Sequence, residues 1–228
     1  MADQNDLDNY YREQSCARAG KDVARVRDDV IQFVGKRFSG GRLLDVGCGY
    51  GEFVKLMRER GVDAVGVEPN VAQARFCADQ GVPCINDVLE RDIAPAGSFD
   101  VVTLFQVLEH LPNPKVALGT VYSLLKPGGM IIVQVPSYHN PRILLYGAVK
   151  IKRLVKRDFI ESHLFYFTPQ TLYAFVTSAG FDVVRLSTGR YAIRYGKGFS
   201  RYPLKVVDYI ADKLRIGGIT LHARKSAD

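Results

Sequence analysis
The chain has 228 residues, 47% hydrophobic and 24% charged, values that exclude a disordered or fibrous protein and leave room for a sizeable core. No apolar run reaches the ~18 residues of a membrane span. The polar, acidic start Met1-Ala-Asp-Gln-Asn-Asp is unlike a signal peptide, so a cytoplasmic protein is expected. The net charge of +7 suits an anionic small molecule or a membrane surface.

Residues 1–20 read as a polar surface tail in which Tyr10 and Tyr11 stand out, with a cap over a ligand as the alternative. Val23, Val26, Val30, Phe33 and Val34 recur at helical spacing and predict a helix to Phe38, ended by Ser39-Gly40-Gly41. Leu43, Leu44 and Val46 then form the short apolar run of a buried parallel strand. Gly47, Gly49 and Gly51 follow at alternate positions, and Glu52 to Arg60 reads as a helix with Phe53, Leu56 and Met57 on one side. A strand, a glycine turn and a helix form the ligand-binding corner of an open α/β sheet. A dinucleotide fingerprint needs a third glycine where this chain has Glu52, an acid that is a poor neighbour for pyrophosphate.

Asp63 to Glu68 predicts a second strand closing on an acid, Pro69 and Asn70 open a helix, and Val82 to Ile85 is a short third strand. Glu68 lies roughly twenty residues past the glycine loop, where a carboxylate can hold a ribose diol. Asn86-Asp87-Val88 follows the third strand. Phe99 to Phe105 predicts a fourth strand buried on both faces, leading into Gln106-Val-Leu-Glu-His-Leu-Pro-Asn-Pro114. Lys115 to Leu125 is a helix, Lys126-Pro-Gly-Gly129 a tight turn, and Met130 to Val135 a fifth strand.

Four of these signals, spread over residues 40–136, resemble the class I S-adenosylmethionine (SAM) methyltransferases. They are Asp45-x-Gly47-x-Gly49-x-Gly51, Glu68, Asn86-Asp87-Val88, and the pair formed by the segment after the fourth strand and the "LLKPGG" turn. The resemblance is to the branch that includes the quinone-biosynthesis O-methyltransferases. It implies an α/β fold, a doubly wound, seven-stranded, mostly parallel sheet with an antiparallel hairpin of strands six and seven. It implies SAM as cofactor, with Asp45 at the methionine amino end, Gly47 and Gly49 in close backbone approach, and Glu68 on the ribose. Asp87 would accept from the adenine amino group, the Val88 N–H would bond a ring nitrogen, and the backbone of Phe105 and Gln106 would face the methionine end. In quinone O-methyltransferases a divalent metal accompanies a Glu-x-x-Glu-His pattern; this chain has Gln106 at its first position, and we expect no metal.

Two histidines are candidate bases for the acceptor. His110, beside Glu109, could deprotonate a hydroxyl, help bind a metal, or only tie neighbouring loops together. His163 lies in Glu161-Ser-His-Leu-Phe-Tyr-Phe-Thr-Pro169, which resembles a stretch that enters the acceptor pocket in relatives; Tyr138, His139 and Tyr166 could line the same pocket. Thr168 and Pro169 are also helix-start residues for a helix to Ala179, so half of that motif is explained by punctuation. Segment 140–157 alternates apolar and basic residues: a solvated amphipathic helix, or a lid facing an anionic acceptor or a lipid surface. A second basic set runs from Arg185 to Lys205, a further helix is expected from Pro203 to Leu214, and Phe181 to Ser187 and Ile219 to Arg224 predict the last two strands.

One domain is expected over 1–228: a cap and helix over 1–38, a cofactor core over 39–136, and an acceptor half over 137–228. Its reaction is expected to be SAM-dependent methylation of a small molecule, most readily at oxygen. N- or C-methylation, a non-catalytic SAM-binding regulator and a NAD-dependent oxidoreductase remain alternatives. No nucleic-acid-reading module is recognisable; peripheral membrane contact through 140–157 and a homodimer stay open. Cys16, Cys48, Cys77 and Cys84 have no C-x-x-C spacing and read as reduced thiols.

Overall fold
The structure is a computed structural model and describes residues 28–89, 93–138, 163–189 and 218–226. The expected aromatic cap, the basic segment 140–157, the helix from Pro203 and the basic residues from Arg190 to Lys205 lie outside them, as do Cys16 and His139.

Helix α1 (Asp28–Arg37) precedes strand β1 (Arg42–Val46). Then come α2 (Glu52–Arg58), β2 (Asp63–Val67), α3 (Val71–Asp79), β3 (Cys84–Ile85) and β4 (Phe99–Phe105). A single 3-10 turn (Leu108–His110) leads to α4 (Pro114–Leu124), β5 (Leu125–Pro136), α5 (Pro169–Ser178), β6 (Phe181–Gly189) and β7 (Gly218–Lys225). The seven strands form one sheet in the order β3-β2-β1-β4-β5-β7-β6. β1 to β5 pair in parallel, and β7 runs antiparallel to both β5 and β6. This is the expected doubly wound α/β sheet with its terminal hairpin.

Period-two alternation along the strands divides the core. Leu44, Val46, Val102 and Leu104 pack under α4 and α5 with Leu118, Val121, Leu172 and Val176. Leu43, Val101, Met130 and Ile132 pack on the other face with Val30 and Val34 of α1 and Phe53, Val54 and Met57 of α2. A sheet buried on both faces needs near-continuous apolar strands, which is why these segments were conspicuous in the sequence.

Helix starts follow their local chemistry. The Asn70 and Asn113 side chains accept from the N–H groups of Gln73 and Val116, and Thr168 forms a reciprocal capping box with Thr171. One expectation is corrected at β5. The strand starts earlier than expected: β5 begins at Leu125, which pairs with Phe99, and residues 126–129 turn out of the ladder, with Gly128 at φ 72°, before Met130 pairs with Val101. The irregularity is tied down because Lys126 Nζ lies 2.9 Å from both Asp100 carboxylate oxygens, while Asp100 also accepts the Arg42 N–H. At the far side, Lys225 Nζ donates to the carbonyls of Tyr122 and Leu125, where α4 ends and β5 begins.

Candidate active site at the carboxyl edge of the sheet
Two corners of the carboxyl edge carry the predicted residues. In the first, Gly47, Gly49 and Gly51 all adopt left-handed backbone (φ 65°, 57° and 73°). A side chain at Gly47 would strike Val107 Cγ2 at 2.6 Å, whereas one at Gly49 would meet nothing within 4 Å. The loop is therefore packed beneath and open at its middle, a shape that lets a ligand approach the backbone. The end of β2 anchors it: Val67 C=O accepts the N–H groups of Gly47 and Cys48. Glu52 is exposed at the first position of α2.

Asp45 and Glu68 are both buried, at 4% and 7% exposure. The β1–β4 register sets Asp45 beside Thr103, whose hydroxyl donates to Asp45 Oδ1 at 2.6 Å. Burial pushes the Asp45 carboxyl up to about 7, against the Thr103 hydrogen bond and with help from the nearby Glu68 charge. Glu68 Oε2 accepts the Gly49 N–H at 3.0 Å and Oε1 the Asn70 N–H at 2.9 Å, which secures the loop. Burial raises this carboxyl too, and the two N–H groups oppose the rise. Two buried carboxylates beside an open backbone loop are chemically suited to a ligand that brings positive charge. A sulfonium and an ammonium, as in SAM, fit that donor set; a pyrophosphate does not.

Asp87 follows β3, and its carboxylate accepts the Val88 N–H at 2.8 Å. The Val88 donor that the resemblance aims at a purine nitrogen is thus engaged by the neighbouring side chain. At the end of β4, the buried Phe105 ring meets Phe53 edge-on at 4.9 Å. Gln106 has φ 58°, the one positive φ outside glycine among the described residues, and its N–H is held by Gln134 C=O. Strain of that kind concentrates at functional sites.

The second corner is built by the 3-10 turn and the segment before α5. The His110 and His163 rings meet at a centroid distance of 4.7 Å, and Tyr166 (5.7 Å from His163) and Tyr138 (6.3 Å from Tyr166) continue the row. Glu109 C=O accepts the N–H groups of Leu164 and Phe165, and the backbone N–H of Tyr138 donates to Phe167 C=O. Sequence reading offered His110 and His163 as alternatives; the fold brings them together. Donor atoms of Glu109, His110 and His163 lie within 4.8 Å of one another. One carboxylate and two imidazoles could hold a divalent ion, a grouping that the spacing 109, 110, 163 does not announce. Val107 joins the corners: it packs on Gly47 and its carbonyl accepts the His110 N–H. A cavity lined by Arg42, Arg58, Asp63 and Phe99 sits at the opposite end of the strands and holds none of these residues.

Residues 17–186 match the methyltransferase-domain family, and the chain belongs to it. The protein is a SAM-dependent methyltransferase, and its cofactor is SAM. It is 32% identical over 174 residues to the ubiquinone biosynthesis O-methyltransferase of Psychrobacter arcticus, covering 69% of this chain and 66% of that one. It is 35% identical over 156 residues to the enzyme of the same name from Cereibacter sphaeroides, covering 64% and 62%. The chain thus spans a little under two thirds of the length of these curated relatives. A SAM-dependent methyltransferase from Archaeoglobus fulgidus shares the fold, with a TM-score of 0.62 at 23% identity over 88% of this chain and 95% of that one. Among the described residues, no helix is long and apolar enough to cross a membrane.

Proposed function
We propose that the enzyme methylates a hydroxyl oxygen of a small molecule, with the glycine corner holding SAM and the histidine corner receiving the acceptor. The observation that carries this reading is the joining of His163 to His110 on a turn that itself packs against the glycine loop. A hydroxyl is a weak nucleophile until its proton is removed, and an imidazole is the side chain suited to that transfer near neutral pH. The names of the curated relatives support the choice of oxygen.

In this reading Asp45 faces the methionine ammonium and Glu68 accepts from the ribose hydroxyls while keeping its backbone donors. Asp87 accepts from the adenine amino group, and the Val88 N–H, released from Asp87, bonds a ring nitrogen. Gly47 and Gly49 allow close approach, and the Phe105–Gln106 backbone borders the methionine end. His163 takes the hydroxyl proton and His110 orients it, while alignment of oxygen, methyl and sulfur supplies most of the rate. The acceptor is anionic or lipid-like, in keeping with the basic balance of the chain.

The Glu109–His110–His163 grouping favours a second reading of the same step. Glu109, His110 and His163 would hold a divalent ion, which when bound would supply Lewis-acid chemistry toward an acceptor hydroxyl. An imidazole that ligates an ion is not a base, so the two readings exclude each other. Methyl-labelled SAM is incubated with an alkylated catechol or with a primary amine, before and after chelation. Label on the catechol oxygen that survives chelation supports the base. Loss with chelation and recovery with added ion supports the second reading. Label on the amine alone refutes O-methylation.

A further inference from the structure
Three thiols from three separate elements meet beneath the glycine loop: Cys48 in the loop, Cys77 on α3 and Cys84 on β3. All three are free of disulfides. Their sulfurs lie within 4.8 Å of one another, with Cys48 and Cys84 at 3.5 Å. Cys77 is fully buried and the other two are half-buried.

The space they share is kept clear by glycines. A Cβ at Gly66 would lie 2.3 Å from Cys48 Sγ, and the β2–β3 register puts Gly66 beside Cys84. A Cβ at Gly51 would lie 2.9 Å from Cys77 Sγ. The Gly49 carbonyl rests against two of the sulfurs, 3.4 Å from Cys77 and 3.9 Å from Cys48. A thiolate sits ~2.3 Å from a zinc-like ion, so three sulfurs around one ion stand about 4 Å apart. The observed spacing brackets that distance.

We propose that Cys48, Cys77 and Cys84 form a three-sulfur binding site for a soft, closed-shell metal ion of the Zn2+ or Cd2+ class. All-sulfur donors select such ions over Mg2+ or Ca2+. Binding converts the thiols to thiolates and releases their protons. The site is distinct from the nitrogen and oxygen donors around His163. It also stands apart from the assignment of an acceptor: a chain that methylates nothing can still bind the ion.

The test uses the full chain, kept reduced with a phosphine, and titrated with Cd2+ while the ultraviolet sulfur-to-metal charge-transfer band is followed. One ion per chain is expected, with Zn2+ competing for the site only in large excess. Cys77→Ser and Cys84→Ser should each weaken Cd2+ binding by more than about 100-fold, beyond the cost of losing an outer-shell partner. Cys16→Ser and His163→Ala should leave it unchanged. A band that persists in Cys84→Ser, that needs Cys16, or that never appears at stoichiometric Cd2+ overturns the site. A measurement on the unmutated chain guards against misfolded variants: Cd2+ should protect Cys48, Cys77 and Cys84 together from alkylation, read peptide by peptide. Labelling at equal rates with and without the ion also overturns it.

Discussion

The glycine corner of the carboxyl edge is held by regular structure. Its carboxylates stand at the ends of β1 and β2, and strand register fixes Asp45 against Thr103. The histidine corner is held by tethers on an irregular path: two hydrogen bonds to Glu109 C=O, one bridge between Ser137 and Phe167, and a row of rings. A change at the first corner therefore disturbs packing and ligand together. A change at the second can remove chemistry and leave the fold in place.

His163→Ala gives the largest expected effect and the sharpest form of that contrast. If His163 is the base, turnover at saturating SAM should fall by about 100-fold to 10,000-fold. SAM affinity, measured by calorimetry, should stay at its wild-type value. Parallel loss of affinity and turnover would mean that the corners are not separable; turnover near wild type would remove His163 as a base.

At the glycine corner Glu68→Ala should weaken SAM binding by ~1–3 kcal/mol, the scale of leaving buried partners unpaired. The melting temperature should fall as well, because Glu68 also holds the Gly49 and Asn70 N–H groups. Unchanged affinity would count against the ribose assignment. Gly66→Ala approaches the same loop from below, forcing a methyl against Cys48. Overpacking of this kind costs ~1–3 kcal/mol of stability. Urea titration should show that loss, and the circular-dichroism signature of the fold should survive it.

The contrast also explains what the sequence could disclose. Strands, the glycine loop and Glu68 are local patterns: apolar runs, positive-φ residues and a fixed spacing, each legible over a few residues. The start of β5 was missed because Pro127 and two glycines read as a turn, while the deciding contacts, Lys126 with Asp100 and Leu125 with Phe99, come from a strand some 26 residues away. His110 and His163 were each visible, but their meeting depends on the Glu109 carbonyl and a 53-residue separation that no periodicity encodes. The three cysteines looked unrelated for the same reason: two crossovers of the sheet bring positions 48, 77 and 84 together.

A pH dependence confined to the glycine corner tests the same contrast without removing a side chain. Asp45 titrates near 7 in the folded chain, well above the ordinary 3.8. The folded state thus holds this proton more tightly than the unfolded one. Its contribution to stability is fully present below about pH 4 and is lost as the pH rises through 7. A cationic ligand beside Asp45 favours the ionised carboxylate and reverses that preference, so binding should release a proton. SAM affinity should climb by up to about ten-fold per unit below pH 7 and level off as Asp45 becomes ionised. Above about pH 8 the ligand's own ammonium loses its proton and affinity should decline again. Asp45→Asn keeps an acceptor for the Thr103 hydroxyl and cannot titrate, so it should abolish the rising limb and spare the falling one. A rising limb that survives in Asp45→Asn would assign the proton to another group, with Glu68, also raised by burial, next in line.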